Sequence, residues 1–270
     1  MERSYYRYLV GMEYKKQKCI GETAMSLHTK MYTLLYKMKL CSPEDYFKKI
    51  YLVSNGISYD KCNKIWENPN IKVHTNTSDG TIQQMADHIK KVMDLQPSDI
   101  VLDIGAGDGL IDEKLAKYVK TYYGFDFSKQ KIEEAKKRNP NCKYWQQSFL
   151  EPINITDKVN KIFSFCVMQY CNPKDVESFL KKQKDVISVQ EGRGIIVHFD
   201  VPDKNRAYNL YRNFDRDIVD KYKNQLETIF SDGSYWHDME KVQKICKQYA
   251  CDVEIKPSAC SYRSDIIIHV

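Results

Sequence analysis

The chain has 270 residues, 42% hydrophobic and 29% charged, an ordinary balance that allows a substantial core in one large domain or in a core with an accessory region. No apolar run approaches the ~18–20 residues of a membrane span, and MERSYYRYLV lacks the apolar centre of a secretory signal, so a cytoplasmic protein with no membrane partner is expected. Net charge is +6, and the first eighty residues carry 13 basic against 8 acidic side chains; that excess suits an anionic partner, or simply a solvated lysine-rich surface.

The first eighty residues read as helices without a sheet. Leu27, Met31, Leu34, Leu35 and Met38 recur at helical spacing, predicting an amphipathic helix over roughly 20–40. Ser42-Pro43-Glu44-Asp45 combines a capping hydroxyl, a proline at the first helical position and acids at the positive end of the helix dipole. That helix should run to about Ser54 and stop at Asn55-Gly56, and a short one opened by Ser58 should end before Pro69. The many tyrosines here, from Tyr5 to Tyr59, either pack helices together or line a substrate pocket. Residues 69–80 are rich in turn formers and read as a linker. After it, Ile82, Met85, Ile89 and Val92 mark one face of a further helix.

Val101–Leu110, VLDIGAGDGL, organises the rest of the chain. Apolar residues lead to Asp103, and Gly105, Gly107 and Gly109 follow at every second position, with Ala106 between the first two. A strand buried on both faces reads as such an apolar run, and the glycines allow a sharp turn and close approach of a ligand to the backbone. Leu110, Ile111, Leu115 and Val119 then continue at helical spacing. A second strand over 121–128 ends in Asp126 and Phe127, and Ser128 caps the helix that follows. A third, residues 143–149, ends at Ser148-Phe149, and a fourth spans 161–171 and contains Cys166. A helix opens at Asp175, and the fifth strand, from Gly192, ends in His198, Phe199 and Asp200. Residues 201–230 form a long charged and aromatic insertion, expected to be helical. A helix from Trp236 to about Tyr249 and two closing strands complete the chain. This alternation predicts an α/β fold with a mostly parallel seven-stranded sheet and helices on both faces.

The run D-I-G-A-G-D-G resembles motif I of the class I S-adenosylmethionine-dependent methyltransferases, of the small-molecule type. The third glycine comes one residue too early for the G-x-G-x-x-G of dinucleotide-binding proteins, which opposes a nicotinamide-dependent oxidoreductase. The resemblance covers about residues 77–270, as a Rossmann-like core, with residues 1–76 left as an N-terminal helical cap and about 201–235 as a lid. It implies that Asp103, Gly105, Ala106 and Gly107 hold the methionine portion of S-adenosylmethionine and Asp126 the ribose. Phe127 and Phe149 would flank the adenine, with Ser148 where relatives often carry an acid and Cys166 at the same ligand edge. The product would be S-adenosylhomocysteine. Thr77–Thr81 resembles a turn that closes over the methionine carboxylate, although a plain helix cap explains Ser78 and Asp79 equally well. The sequence MQYCNP after the fourth strand lacks the N-P-P-Y-like signature of many base-methylating enzymes, so a small-molecule acceptor is expected rather than nucleic acid. A protein or RNA acceptor, or a non-catalytic cofactor-binding module, is the alternative.

For the acceptor side, His198 is the candidate general base and Tyr170 its catalytic companion, because an imidazole of near-neutral pKa takes a hydroxyl proton readily. Gln169 would help to orient the acceptor and Asp200 the imidazole. A strand residue alternates faces, so His198 serves equally well as a satisfied core side chain. His237 fits a helix-capping position better. The nine cysteines contain no C-x-x-C pair, so neither a zinc site nor a disulfide framework is expected, and Cys166 also reads as a small core residue.

Overall fold

The computed structural model describes residues 27–52, 79–188, 194–229 and 234–270. The helix expected after Ser58 and the linker through residue 78 lie outside the described residues, as do the first 26. Helix α1 (Leu27–Lys37) and helix α2 (Pro43–Tyr51) come first. Ser42 caps α2 as its sequence implies, its hydroxyl accepting from the Asp45 amide at 3.0 Å. Helix α3 (Asp79–Met93) leads into β1 (Ile100–Ile104). The helix expected after the glycine turn is short, α4 (Asp112–Leu115) with a tighter turn at Ala116–Tyr118.

The core continues as β2 (Thr121–Asp126), α5 (Lys129–Arg138), β3 (Lys143–Gln146), β4 (Lys161–Phe165), α6 (Val176–Val186) and β5 (Ile195–Pro202). After the insertion, whose described residues hold one α-helix, α7 (Arg216–Tyr222), come α8 (Met239–Gln248), β6 (Asp252–Pro257) and β7 (Arg263–His269). The strands form one seven-stranded sheet in the order β3-β2-β1-β4-β5-β7-β6. Strands β1 to β5 pair in parallel, and β7 runs antiparallel to both of its neighbours. The order reverses direction between β1 and β4, and a ligand is expected in the crevice outside the carboxyl ends of the strands at such a switch point.

Period-two alternation divides the core between the two faces. Leu102, Ile104, Phe125, Ile162 and Ile196 pack with Phe179 of α6 and Val242 of α8. Val101, Tyr122, Phe163, Val197 and Phe199 pack with Ile89 and Met93 of α3. A third cluster lies at the ligand edge. Phe47 of α2 joins Ile82 and Met85 of α3, Tyr211 and Tyr222 of the insertion, Trp236 and Tyr262.

Four strand ends differ from the sequence reading: β2 and β3 stop early, at Asp126 and Gln146, and β4 and β5 differ with a physical cause in each case. β4 stops at Phe165 because Cys166 adopts a left-handed φ of 57°, and the chain then makes a tight turn at Met168–Tyr170. β5 continues to Pro202, past a bulge in its pairing with β7 between His198 and Val201. Asp200, at φ 62°, sits within that bulge. His198 therefore lies in the middle of its strand, which corrects its expected place at the end.

Candidate functional site

The carboxyl end of β1 meets the glycine turn, and all three glycines have a positive φ: 80° at Gly105, 57° at Gly107 and 73° at Gly109. Their surroundings differ. A Cβ on Gly105 would come within 2.4 Å of Val167, and one on Gly109 within 2.5 Å of the Asn139 amide nitrogen. Those two glycines are needed for close packing. A Cβ on Gly107 would meet nothing within 4 Å, so the space in front of this residue is open to a ligand. Ala106, half-buried, packs against Ile132, Ala135 and Tyr144 and so belongs to the wall behind the turn.

Asp126 ends β2 directly beside that space. One carboxylate oxygen accepts from the Gly107 amide at 3.1 Å and the other from the Ser128 amide at 2.9 Å. Burial pushes its pKa up to about 6, against the lowering effect of those two amides. Each oxygen still has lone-pair capacity for a hydroxyl donor. Asp103 is buried; desolvation, with Asp112 and Asp126 nearby, holds its carboxyl well above the usual carboxylate range. Asp112 is a residue that sequence reasoning did not single out. It accepts from Tyr122 at 2.9 Å and from Tyr144 at 2.7 Å, tying α4 to β2 and β3 beneath the turn. Asn139 of the α5 cap adds a bond to the Gly109 carbonyl at 2.8 Å.

Of the residues expected to flank an adenine, Phe127 is half-buried beside Asp126. The Ser148 hydroxyl accepts from the Leu150 amide at 3.1 Å. Phe149 is buried, with its ring edge-on to Phe179 at 5.4 Å between centroids. Asp103, the glycine turn and Asp126 are thus brought together at adjacent strand ends. This set fits the methionine and ribose portions of S-adenosylmethionine: an open left-handed glycine and a carboxylate facing the same space.

On the other side of β1, Cys166 directly follows β4 and Asp200 sits in the bulge of β5, and the Cys166 thiol donates to the Asp200 carboxylate at 3.2 Å. Asp200 also accepts from the Ser258 hydroxyl, and Arg263 donates to its carbonyl at 2.8 Å. A second Arg263 nitrogen donates to Gln169 at 2.9 Å. Tyr170 ends the turn after β4, half-buried against the α6 and α8 face. Arg263, at the start of β7, was invisible to pattern reading because its role depends on strand pairing.

The histidines are placed differently from the expectation. His198 is completely buried; its Nδ1 pairs with the Ser164 hydroxyl at 2.9 Å and its ring lies 5.1 Å from that of Phe179, under α6. Burial, with a smaller contribution from His237, brings its pKa down to about 3. It is a neutral core imidazole and is not brought beside Asp200. His237 is also buried, bonded to the Met168 carbonyl at 2.9 Å, with a pKa lowered to about 4 by burial. Asp238, one residue on, is the cap of α8.

Residues 101–189 match a family model described as a methyltransferase domain. No curated protein sequence matches the chain. Among solved structures, an S-adenosylmethionine-dependent methyltransferase from Clostridium acetobutylicum ATCC 824 superposes with a TM-score of 0.55 at 14% identity, over 78% of this chain and 98% of that one. Magnesium protoporphyrin IX methyltransferase (ChlM) from Synechocystis PCC 6803, with bound S-adenosylhomocysteine (SAH), gives 0.51 at 15% identity, over 83% and 95%. DhpI in complex with SAH gives 0.53 at 12% identity, over 77% and 95%. At such identities the likeness is one of fold. Among the described residues no helix is long and apolar enough to cross a membrane.

Proposed function

We propose that the protein, whose residues 101–189 match a methyltransferase-domain model and whose fold is similar to that of S-adenosylmethionine-dependent methyltransferases, transfers the methyl of S-adenosylmethionine to oxygen or nitrogen of a small-molecule acceptor. The observation that carries this reading is the cradle at Gly107. It is the one glycine of the turn where an added Cβ meets open space, and the Asp126 carboxylate is bonded to its amide. The cofactor supplies an electrophilic methyl on a sulfonium. An acceptor lone pair forms the new bond to that carbon as the carbon–sulfur bond breaks, the electron pair stays on sulfur as SAH, and the acceptor's proton passes to water. Asp126 takes the ribose hydroxyls, and the Gly105–Gly107 turn and Asp103 take the methionine end. The protein's main contribution is to hold the acceptor about 3 Å from the methyl in line with the breaking bond.

The acceptor side is enclosed by the N-terminal helices and the insertion. Phe47 packs against Tyr211 and Phe214 at 5.5 and 5.1 Å between ring centroids. Glu44 accepts from the Tyr222 hydroxyl and pairs with Lys221 at 3.0 Å. Such a cap favours a small molecule over a polymer, and ChlM, named for magnesium protoporphyrin IX, is a fold relative that acts on one. The test is transfer of tritium from [methyl-³H]-S-adenosylmethionine to a whole-cell extract that is then separated into small-molecule, protein and RNA fractions, with SAH affinity measured in parallel. Labelled small molecules are expected. Cofactor binding without any transfer rejects catalysis in favour of a binding module, and label confined to protein or RNA rejects the small-molecule acceptor.

A further inference from the structure

The third cluster contains two hydrogen-bonding groups that the fold leaves unused. Trp236 and Tyr262 are buried, at 0% and 3% exposure, yet among the described residues the Trp236 Nε1 and the Tyr262 hydroxyl have no hydrogen-bond partner. A buried polar group left unpaired costs about 1–3 kcal/mol, so two in one place call for a reason. The two rings are 5.8 Å apart, edge to face, and come from separate connections, one closing the insertion and one joining β6 to β7. Two further buried atoms, Oε1 of Gln183 on α6 and Nε2 of His198 beneath that helix, lie on the opposite face of the sheet.

The location matters as much as the vacancy. The cluster holding Trp236 and Tyr262 also packs against Leu110 and Ile111, directly after the glycine turn, and against Phe165, the last residue of β4. These residues flank the switch point between β1 and β4, so the cluster begins where the sulfonium end of a bound cofactor would point. We propose that Tyr262 and Trp236 are the acceptor-recognition pair, and that the acceptor is a flat aromatic molecule whose oxygen receives hydrogen bonds from both. This deepens the methyl-transfer reading and rests on it.

The chemistry of the surroundings selects that class. An indole N–H only donates, and a tyrosine hydroxyl is free to donate, so both groups ask for an oxygen lone pair. The walls are aromatic, with Tyr211 at 5.9 Å from Trp236 between centroids and Phe47 edge-on to Tyr211 at 5.5 Å; flat rings suit them. The Arg263 guanidinium lies 5.2 Å from the Tyr262 ring centre but is paired with the Asp200 carboxylate at 3.6 Å, so what a cationic amine in this place would meet is two donor dipoles and no acceptor. A neutral or anionic oxygen, as in a hydroxyarene or an aromatic carboxylate, meets no such penalty. Both donor atoms are sealed from solvent, so binding requires the cluster to open and close around the ligand.

The experiment uses the full chain saturated with SAH, probed with 1-naphthol, 2-hydroxybenzoate and 4-hydroxycinnamate, with benzylamine and cyclohexylamine as cationic controls. The oxygen-bearing arenes are expected to raise Tm and the amines to leave it unchanged. Tyr262→Phe removes only the unpaired hydroxyl. It is expected to keep or raise the arene-free Tm, to keep SAH affinity, and to weaken arene binding about three- to tenfold, the worth of one neutral hydrogen bond. Trp236→Phe is expected to weaken arene binding at least as much, with its Tm showing whether the fold survives the loss of the larger ring. A drop in Tm for Tyr262→Phe means that a bound water already uses the hydroxyl and overturns the assignment. Equal arene affinity in that variant, or no arene effect at all on the SAH-bound protein, overturns it too. Failure of the unaltered protein to bind SAH removes the methyl-transfer reading and this assignment together, which separates the two failures.

Discussion

Replacing Asp126 by alanine removes two things at once, and the structure allows both to be weighed. The carboxylate accepts from the Gly107 and Ser128 amides, and leaving those unpaired costs about 1–3 kcal/mol each where water cannot reach them. Against this, burial has pushed the Asp126 pKa from 3.8 up to about 6, so carrying its charge in the fold at pH 7 costs about 3 kcal/mol. The two nearly offset, and Tm should fall by no more than about 10 °C, taking about 2–4 °C per kcal/mol for a chain of this size. Cofactor binding has no such compensation. Each ribose hydroxyl bonded to the carboxylate contributes about 1.5–3 kcal/mol, so affinity should fall by about one to two orders of magnitude per hydroxyl.

The pH dependence has a definite sign. The pKa of Asp126 is raised in the fold, so its contribution to stability is full below about 4 and is lost as pH rises through about 6. Cofactor binding uses the ionised form and gains over that same upper interval, so SAH affinity should weaken about tenfold per unit as pH falls below 6. Asp103 is raised as well, so Asp126→Asn is the assigning control and should flatten the profile. Calorimetry of SAH binding between pH 5 and 7.5 provides the measurement. An alanine variant that stays folded and binds within threefold of the unaltered protein refutes the ribose assignment, as does a flat profile in the unaltered protein.

Other expected outcomes follow from the same geometry. Gly109→Ala should lower Tm markedly, by several degrees, because its Cβ would sit 2.5 Å from the Asn139 nitrogen and 3.2 Å from Ala135 at a φ of 73°. Gly107→Ala meets no neighbour and should cost only about 1 kcal/mol of backbone strain, while SAH affinity drops steeply; thermal melts and calorimetry on both variants separate the two roles. His198→Asn should lower Tm through the lost packing against Phe179 and the Ser164 bond, yet leave turnover per folded molecule within a few-fold. A kcat reduced by 10² or more in a folded variant would restore histidine to the mechanism. Phe47→Ala, deleting a fully buried ring, should cost about 3–5 kcal/mol. It should also speed hydrogen exchange in α2 and residues 204–229 while β1 and β2 stay protected; unchanged exchange in the insertion counts against the cap.

What the sequence determined by itself is whatever rests on contacts within a few residues. Ser42, Ser128 and Asp238 each accept an amide two or three positions on, so hydroxyl or carboxylate spacing announces the helix starts. The β1 turn with its three glycines was legible for the same reason, since positive φ at alternate positions is a local demand. Alternating apolar runs then implied a mostly parallel sheet, because crossover helices leave few other arrangements.

Tertiary structure decided the rest. Alternation says that His198 and Phe199 face opposite sides but not which side holds α6, and only pairing with β7 shows that β5 runs on through a bulge to Pro202. That pairing brings Arg263 to Asp200, residues 63 positions apart, and holds Asp200 in left-handed backbone, while β5 holds Cys166 in the same region, which a cysteine rarely adopts. The cluster around Trp236 and Tyr262 draws on α2, α3, the insertion and the β6–β7 connection. No periodicity within one segment records such a convergence, because burial there is set by how the segments meet and not by the pattern of any one of them.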